Sequence, residues 1–178
     1  MNSKTAESDL QQVFPEAVHK KNVLSFKTSP EHKWYESNPQ QTQHEYSLPD
    51  RFFLVSNQFW QHKMILVLFK ALKLLGEMSI SPSVVCTDHI YDYRQPDYSD
   101  IILQTIHKFG IAQQIHLLGL IPRLDQIQLM RRSLAVVQPS LFEGWSTVVE
   151  DARALGKKND SFGYIRSFRA ESSKQPFV

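Results

Sequence analysis

Cysteine is almost missing: Cys86 is the only one in 178 residues. A single thiol excludes an intrachain disulfide, so the core must hold the fold alone, and a reducing, cytoplasmic compartment is the expectation. Long apolar runs are also missing. The longest purely aliphatic or aromatic run is Met64 to Phe69, far short of the roughly 20 residues of a membrane-spanning helix. No apolar start suggests a secretory signal. Charge of one sign is lacking too. The net charge is +2, and residues 157–178 concentrate five basic groups (Lys157, Lys158, Arg166, Arg169, Lys174) against Asp160 and Glu171. The body is near neutral, which gives no footprint for nucleic acid. There is no P-loop, no Gly-x-Gly-x-x-Gly and no serine nucleophile elbow. His62, His89, His107 and His116 fall at no metal-ligand spacing, so they read as surface or core histidines and no metal is expected.

What is present is enough for a packed core: 42% of residues are hydrophobic and 21% charged, a balance that argues against disorder. From Arg51 the pattern is regular. Phe52 to Ser56 reads as a strand, Lys63 to Met78 as a helix, Ser83 to Thr87 as a strand and Tyr98 to Phe109 as a helix stopped by Gly110. Gln114 to Leu118 reads as a third strand, Pro122 to Arg132 as a helix with proline near its first turn, Leu134 to Gln138 as a fourth strand and Thr147 to Leu155 as a helix capped by Gly156. Strands alternating with helices imply an α/β fold with a Rossmann-like parallel sheet of about four strands, covered on both faces. Before Arg51 the pattern is weaker. Ser8-Asp9-Leu10-Gln11 fits a capping box opening a short helix that Pro15 stops. Asn22 to Lys27 reads as a strand. Thr28 to Pro49, rich in Pro, Gln, Ser, Asn and His, reads as a linker from which Trp34 and Tyr35 dock on a domain surface.

One string organises the chain: Gln138-Pro139-Ser140-Leu141-Phe142-Glu143-Gly144-Trp145-Ser146-Thr147-Val148-Val149-Glu150. It joins a strand to a helix through a glycine-containing turn. Gly144 lets the backbone turn sharply and lets a ligand approach. The amides of about Ser146 to Val149 open the helix, where partial positive charge favours phosphate. Pro-Ser-x-x-Glu-Gly, with a second glutamate seven residues after the first, resembles the retaining family-4 (group 1) glycosyltransferases of the GT-B fold. The resemblance covers about Arg51 to Lys158, part of the C-terminal sugar-nucleotide-binding domain, and makes this half of a GT-B fold.

The resemblance implies a role for each matching residue. Lys63, in the loop after the first strand, would neutralise the diphosphate leaving group. Glu143 would contact the hydroxyls of the donor hexose, with solvent exposure as its plain alternative. Glu150 would accept hydrogen bonds from the ribose diol, which a carboxylate suits because it offers two acceptor oxygens. Its alternative is a capping box over Thr147-Val148-Val149-Glu150. Ser140, Gly144, Trp145, Ser146 and Thr147 line the turn that holds diphosphate and sugar. Gly119 and the backbone up to Pro122 would read the nucleobase. Two positions depart from the pattern. Asn57 stands near the place where many members carry arginine, which removes a bidentate phosphate contact, and Met64 stands where many have asparagine. Asp88, where members often carry glycine, reads as a surface loop residue.

The expected division is therefore residues 1–50, remnant of an acceptor domain plus interdomain linker; 51–158, an incomplete donor domain; and 159–178, a divergent tail, expected to be disordered. The implied function is transfer of a sugar from a nucleotide-diphosphate sugar with retention of configuration, without metal or cofactor, to an acceptor the sequence does not specify. A non-catalytic nucleotide-sugar-binding fragment and an inactive truncated product stand as alternatives. If the pattern stops after the fourth strand, that strand is an uncovered apolar edge that invites self-association.

Overall fold

Apolar side chains alternate along the central strands so that both faces of each are buried. The computed structural model describes residues 3–16, 22–24, 27–141, 143, 145–157 and 159–160. Strands β1 (Phe52–Ser56), β2 (Ser83–Thr87), β3 (Ile115–Gly119), β4 (Val136–Val137) and β5 (Asn159–Asp160) form one sheet in the order β3-β2-β1-β4-β5, with every pairing parallel. Val55, Val84 and Cys86 face helices α4 (Ile65–Glu77) and α5 (Tyr98–Phe109), where Phe69, Leu72, Ile102 and Ile106 close the core. Phe52, Leu54, Val85 and Val136 face the opposite way, onto Leu129 and Met130 of α6 (Arg123–Arg132) and Ala152 of α7 (Thr147–Ala154). A side chain as fully buried as Phe69 contributes about 2–3 kcal/mol of hydrophobic stabilisation. Gly110 ends α5 at φ 66°, and its N–H closes onto the carbonyls of Ile106 and His107. That left-handed turn is cheap only for glycine.

The parallel order and the two-sided helical cover agree with the pattern read from the sequence. Several details differ. The first helix, α1 (Lys4–Val13), opens at Ser3, not at Ser8. Ser3 has the extended backbone of a cap and its Oγ accepts the Ala6 N–H at 3.1 Å, so the earlier serine satisfies the first turn. Asn22, Val23 and Leu24 lie in no strand; Ser25 and Phe26 fall outside the described residues. The stretch from Thr28 to Pro49 is no plain linker. It carries helices α2 (Lys33–Glu36) and α3 (Pro39–Glu45), both packed on α6. Trp34 is buried there, whereas Tyr35 is exposed. The second helix of the pattern starts late: Gln61–Lys63 is a turn of 3-10 helix, Met64 breaks it at φ 53°, and α4 begins at Ile65.

The far edge of the sheet also departs from expectation. β4 is not left uncovered. Asn159 pairs with Val136 and Asp160 with Val137, so the chain after α7 turns back and supplies a fifth strand. The rest of the tail, from Ser161, lies outside the described residues.

Candidate donor-binding site

In an open parallel sheet a ligand crevice forms where neighbouring strands send their chains to opposite faces. β1 leads to α4 on one face and β4 leads to α7 on the other. β1 and β4 are adjacent, so the crevice lies beyond their C-terminal ends. Two loops close over it. Leu141 N–H donates to the His62 carbonyl at 2.8 Å, and Ser140 Oγ donates to the same oxygen at 3.5 Å. The loop after β1 is thereby clipped to the loop after β4.

Lys63 and Glu143 meet across this crevice. Lys63 Nζ donates to Glu143 Oε1 at 2.6 Å, with the side chains only 13% and 7% exposed. A pair this buried has lost most of its water, and removing one partner leaves an uncompensated charge. Glu143 is therefore not the solvent-exposed residue of the plain alternative. The same oxygen is held by Gln138, whose Nε2 donates to Glu143 Oε1 at 3.0 Å and to Ser146 Oγ at 3.3 Å. Gln138 is itself buried. Met64, next to Lys63, holds a left-handed backbone that a non-glycine residue adopts at a cost of about 1–3 kcal/mol.

Ser146 caps α7. Its Oγ accepts the Val149 N–H at 3.4 Å, and its backbone is extended. The cap therefore sits one residue before Thr147, and the capping-box reading of Glu150 fails. Glu150 occupies the fourth helical position, is buried, and accepts a hydrogen bond from Arg153 Nη1 at 3.1 Å. Beside it, buried Asp151 pairs with Arg123 Nη2 at 2.6 Å. Thr147 is exposed and Trp145 half-buried at the same helix start. Gly144 lies outside the described residues.

The other two predicted residues flank the crevice from β1 and β3. Asn57 follows β1, half-buried, and its Nδ2 is buried without a hydrogen-bond partner among the described residues. Gly119 ends β3 at φ 68°, and its carbonyl accepts the Asp88 N–H at 2.7 Å. Asp88 is half-buried with φ 90°, and its Oδ1 accepts the His89 N–H at 2.7 Å. One carboxylate oxygen is engaged within its own loop. Among the described residues no group of three or more His, Cys, Asp and Glu side chains is placed to hold a metal ion.

Sequence reading missed several groups here. Gln138 was read only as a strand end; a polar residue closing an apolar strand was the available signal. The loop after β2 contributes buried Asp92 and the Arg94 guanidinium, which lies over the Trp60 ring at 4.1 Å. Ser56 and Thr87 hydroxyls, 2.8 Å apart, end β1 and β2, and Gln126 of α6 donates to Ser56. Burial first, then the charges of Lys63 and Arg94, holds the His62 imidazole below its ordinary range.

No family description and no curated protein matches the chain. Solved structures do. A glycosyltransferase from Rickettsia africae superposes with TM-score 0.75 at 16% identity, over 89% of this chain and 42% of that one. Anabaena HepE, solved with UDP and glucose, gives TM-score 0.72 at 19% identity over 90% and 42%. This chain has half of a GT-B fold. The C-terminal domain of the group 1 glycosyl transferase LpcC from Francisella tularensis gives 0.58 at 19% identity, over 71% of this chain and 65% of that domain. The chain thus spans about two-fifths of the length of the first two, and its GT-B half carries the crevice described above. Among the described residues no helix is long and apolar enough to cross a membrane.

Proposed function

We propose that this chain is the donor-binding part of a retaining glycosyltransferase that takes a nucleotide-diphosphate sugar. The observation that carries the reading is the Lys63–Glu143 pair, closed across the switch point between β1 and β4 and beside the start of α7. A cation and a carboxylate at that place suit the two ends of a sugar diphosphate. Lys63 meets the phosphate charge and Glu143 the hexose hydroxyls. Glu150 meets the ribose diol, and the amides opening α7 add partial positive charge. Ser140, Trp145, Ser146 and Thr147 line the turn, Asn57 offers an unengaged amide donor, and Gly119 with its backbone faces the base. In the transfer, the bond from the anomeric carbon to the diphosphate breaks. A new bond to the acceptor oxygen forms on the same face, and the acceptor proton passes to the leaving phosphate. The residues then act by electrostatic stabilisation, and no metal or cofactor is invoked. The neighbour solved with UDP and glucose supports a UDP-sugar as the first donor to try.

A second reading is a module that holds nucleotide without turnover: the groups at the crevice are assigned to a donor, and none of them to an acceptor. On that reading the chain alone binds donor but does not transfer sugar, and acceptor-dependent release of free nucleotide would overturn it. Titration calorimetry with UDP and GDP on the wild type, Lys63→Ala and Glu150→Ala tests the donor site itself. Each substitution is expected to cost about 1.5–3 kcal/mol of binding, the worth of a hydrogen bond to a charged group. Equal affinity in all three proteins would remove both assignments.

A further inference from the structure

Arg94 belongs to none of the roles above, yet it is built like a ligand-gripping group. Its backbone N–H and its Nε both donate to Asp92 Oδ1 at 3.0 Å, and Nη2 donates to Asp92 Oδ2 at 3.3 Å. Asp92 is buried, so the carboxylate is a fixed anchor. One face of the guanidinium lies on the Trp60 ring at 4.1 Å, and Tyr93 is 5.6 Å from it. Among the described residues Nη1 makes no hydrogen bond, and the side chain is 43% exposed. A planar fork held along one edge and one face, with its other edge free, has already lost the rotamer entropy that binding would otherwise cost.

Its position is equally specific. The loop carrying Arg94 is tied to the loop carrying Lys63 at two points. Phe59 N–H donates to the His89 carbonyl at 3.0 Å, and Gln95 Nε2 donates to Gln61 Oε1 at 2.8 Å. Trp60, under Arg94, stacks obliquely on His62 at 5.6 Å. Arg94, Trp60, His62 and Lys63 therefore follow one another along the rim of the crevice, and both cations act on the imidazole between them.

We infer that Arg94 is a second phosphate-contacting residue, which offers Nη1 to the donor diphosphate beside Lys63. This rests on the donor-site reading above. Because Asp92 balances its charge, Arg94 acts through directed N–H groups more than through net charge, and a lysine does not replace it.

The test compares UDP with uridine, and GDP with guanosine, on the wild type, Arg94→Ala, Arg94→Lys and Lys63→Ala, with urea midpoints as a fold control. Arg94→Ala is expected to weaken diphosphate binding by about ten- to a hundredfold while nucleoside binding stays unchanged, and Arg94→Lys to recover only part of the loss. Diphosphate affinity that survives Arg94→Ala but falls in Lys63→Ala overturns the role of Arg94 and leaves the donor site standing. Equal losses for nucleoside and diphosphate assign Arg94 to loop structure instead. Wild-type affinity in every variant, or no nucleotide binding by the wild type, sinks the donor reading and this inference with it.

Discussion

Gln138 ties three parts of the crevice together with one amide. It ends the paired stretch of β4, braces Glu143 and touches the α7 cap Ser146. Gln138→Ala would leave Glu143 with one restraint fewer in a buried place. The expected cost is about 1–3 kcal/mol of folding stability, read as a lower urea midpoint at unchanged slope. A midpoint within error of wild type would show that the amide contributes nothing net. His62 carries a pH prediction. Its folded pKa is lowered from an unfolded value near 6.5. Between the two the unfolded chain binds more protons, so stability rises with pH through that window and is lost as pH falls from about 6.5 toward the folded value. His62→Gln should flatten the fall in urea midpoint below about pH 6.5. The same acid loss in both proteins would assign it to other groups. Legibility at this scale was uneven. Glu143 and Glu150 stand in one local string and Lys63 in the loop after a strand that the period announces, so all three could be named as candidates from the sequence. Arg94 and Gln138 could not, because only long-range packing reveals what a guanidinium or amide touches.

The arm before β1 shows how elements can be hidden by composition. α2 and α3 are four and seven residues long, too short to be stable alone. Their stability comes from α6. Gln128 and Arg131 side chains donate to the Trp34 carbonyl at 3.0 and 2.8 Å, Arg131 also reaches the Ser37 carbonyl, and Tyr46 Oη donates to Asp125 at 2.8 Å. Burial and that bond to Asp125 push the Tyr46 phenol up to about 12. Arg123 lies 5.6 Å from the Trp34 ring. No apolar period announces such helices, because most of the docking is polar and made to backbone carbonyls. Trp34→Ala should cost about 3–5 kcal/mol, the range for truncating a buried tryptophan, seen as earlier unfolding in urea. Unchanged stability would mean that the arm undocks without loss. At the other end, the apolar run read as a strand from Leu134 to Gln138 carries the shorter β4, Val136–Val137, beside β1. Leu134 N–H donates to the Phe52 carbonyl at 2.8 Å and Leu54 N–H to the Ala135 carbonyl at 3.0 Å. Its cover by Asn159 and Asp160 was missed, because neither residue is a strand former by propensity. Both residues of β4 are paired by β5, which covers the edge on which the expected self-association rested.

Across the whole molecule, two cores on opposite sides of one sheet make the lone thiol inert. Cys86 faces the α4 and α5 side, fully buried, and burial pushes its pKa up to about 12. A thiolate-directed reagent should leave the native chain unmodified at neutral pH and label it on unfolding in urea, since the thiolate is the reactive form. Labelling of the native chain at the rate of a free thiol would show that the core around β2 opens readily.

The amino-acid sequence by itself determined the strand–helix alternation, the parallel sheet and the glycine stop of α5 at Gly110. Each of these is written in neighbouring residues: period two in strands, period 3.6 in helices, and turn chemistry between them. Only the tertiary structure decided what meets across the sheet. Lys63 and Glu143 are 80 residues apart and become partners because β1 and β4 are adjacent. Arg94 reaches the Trp60 ring because the loops after β1 and β2 are hydrogen-bonded to each other. Trp34 is buried because α6 offers it a surface. Such contacts depend on strand order and on which face each helix takes, and a local pattern carries neither.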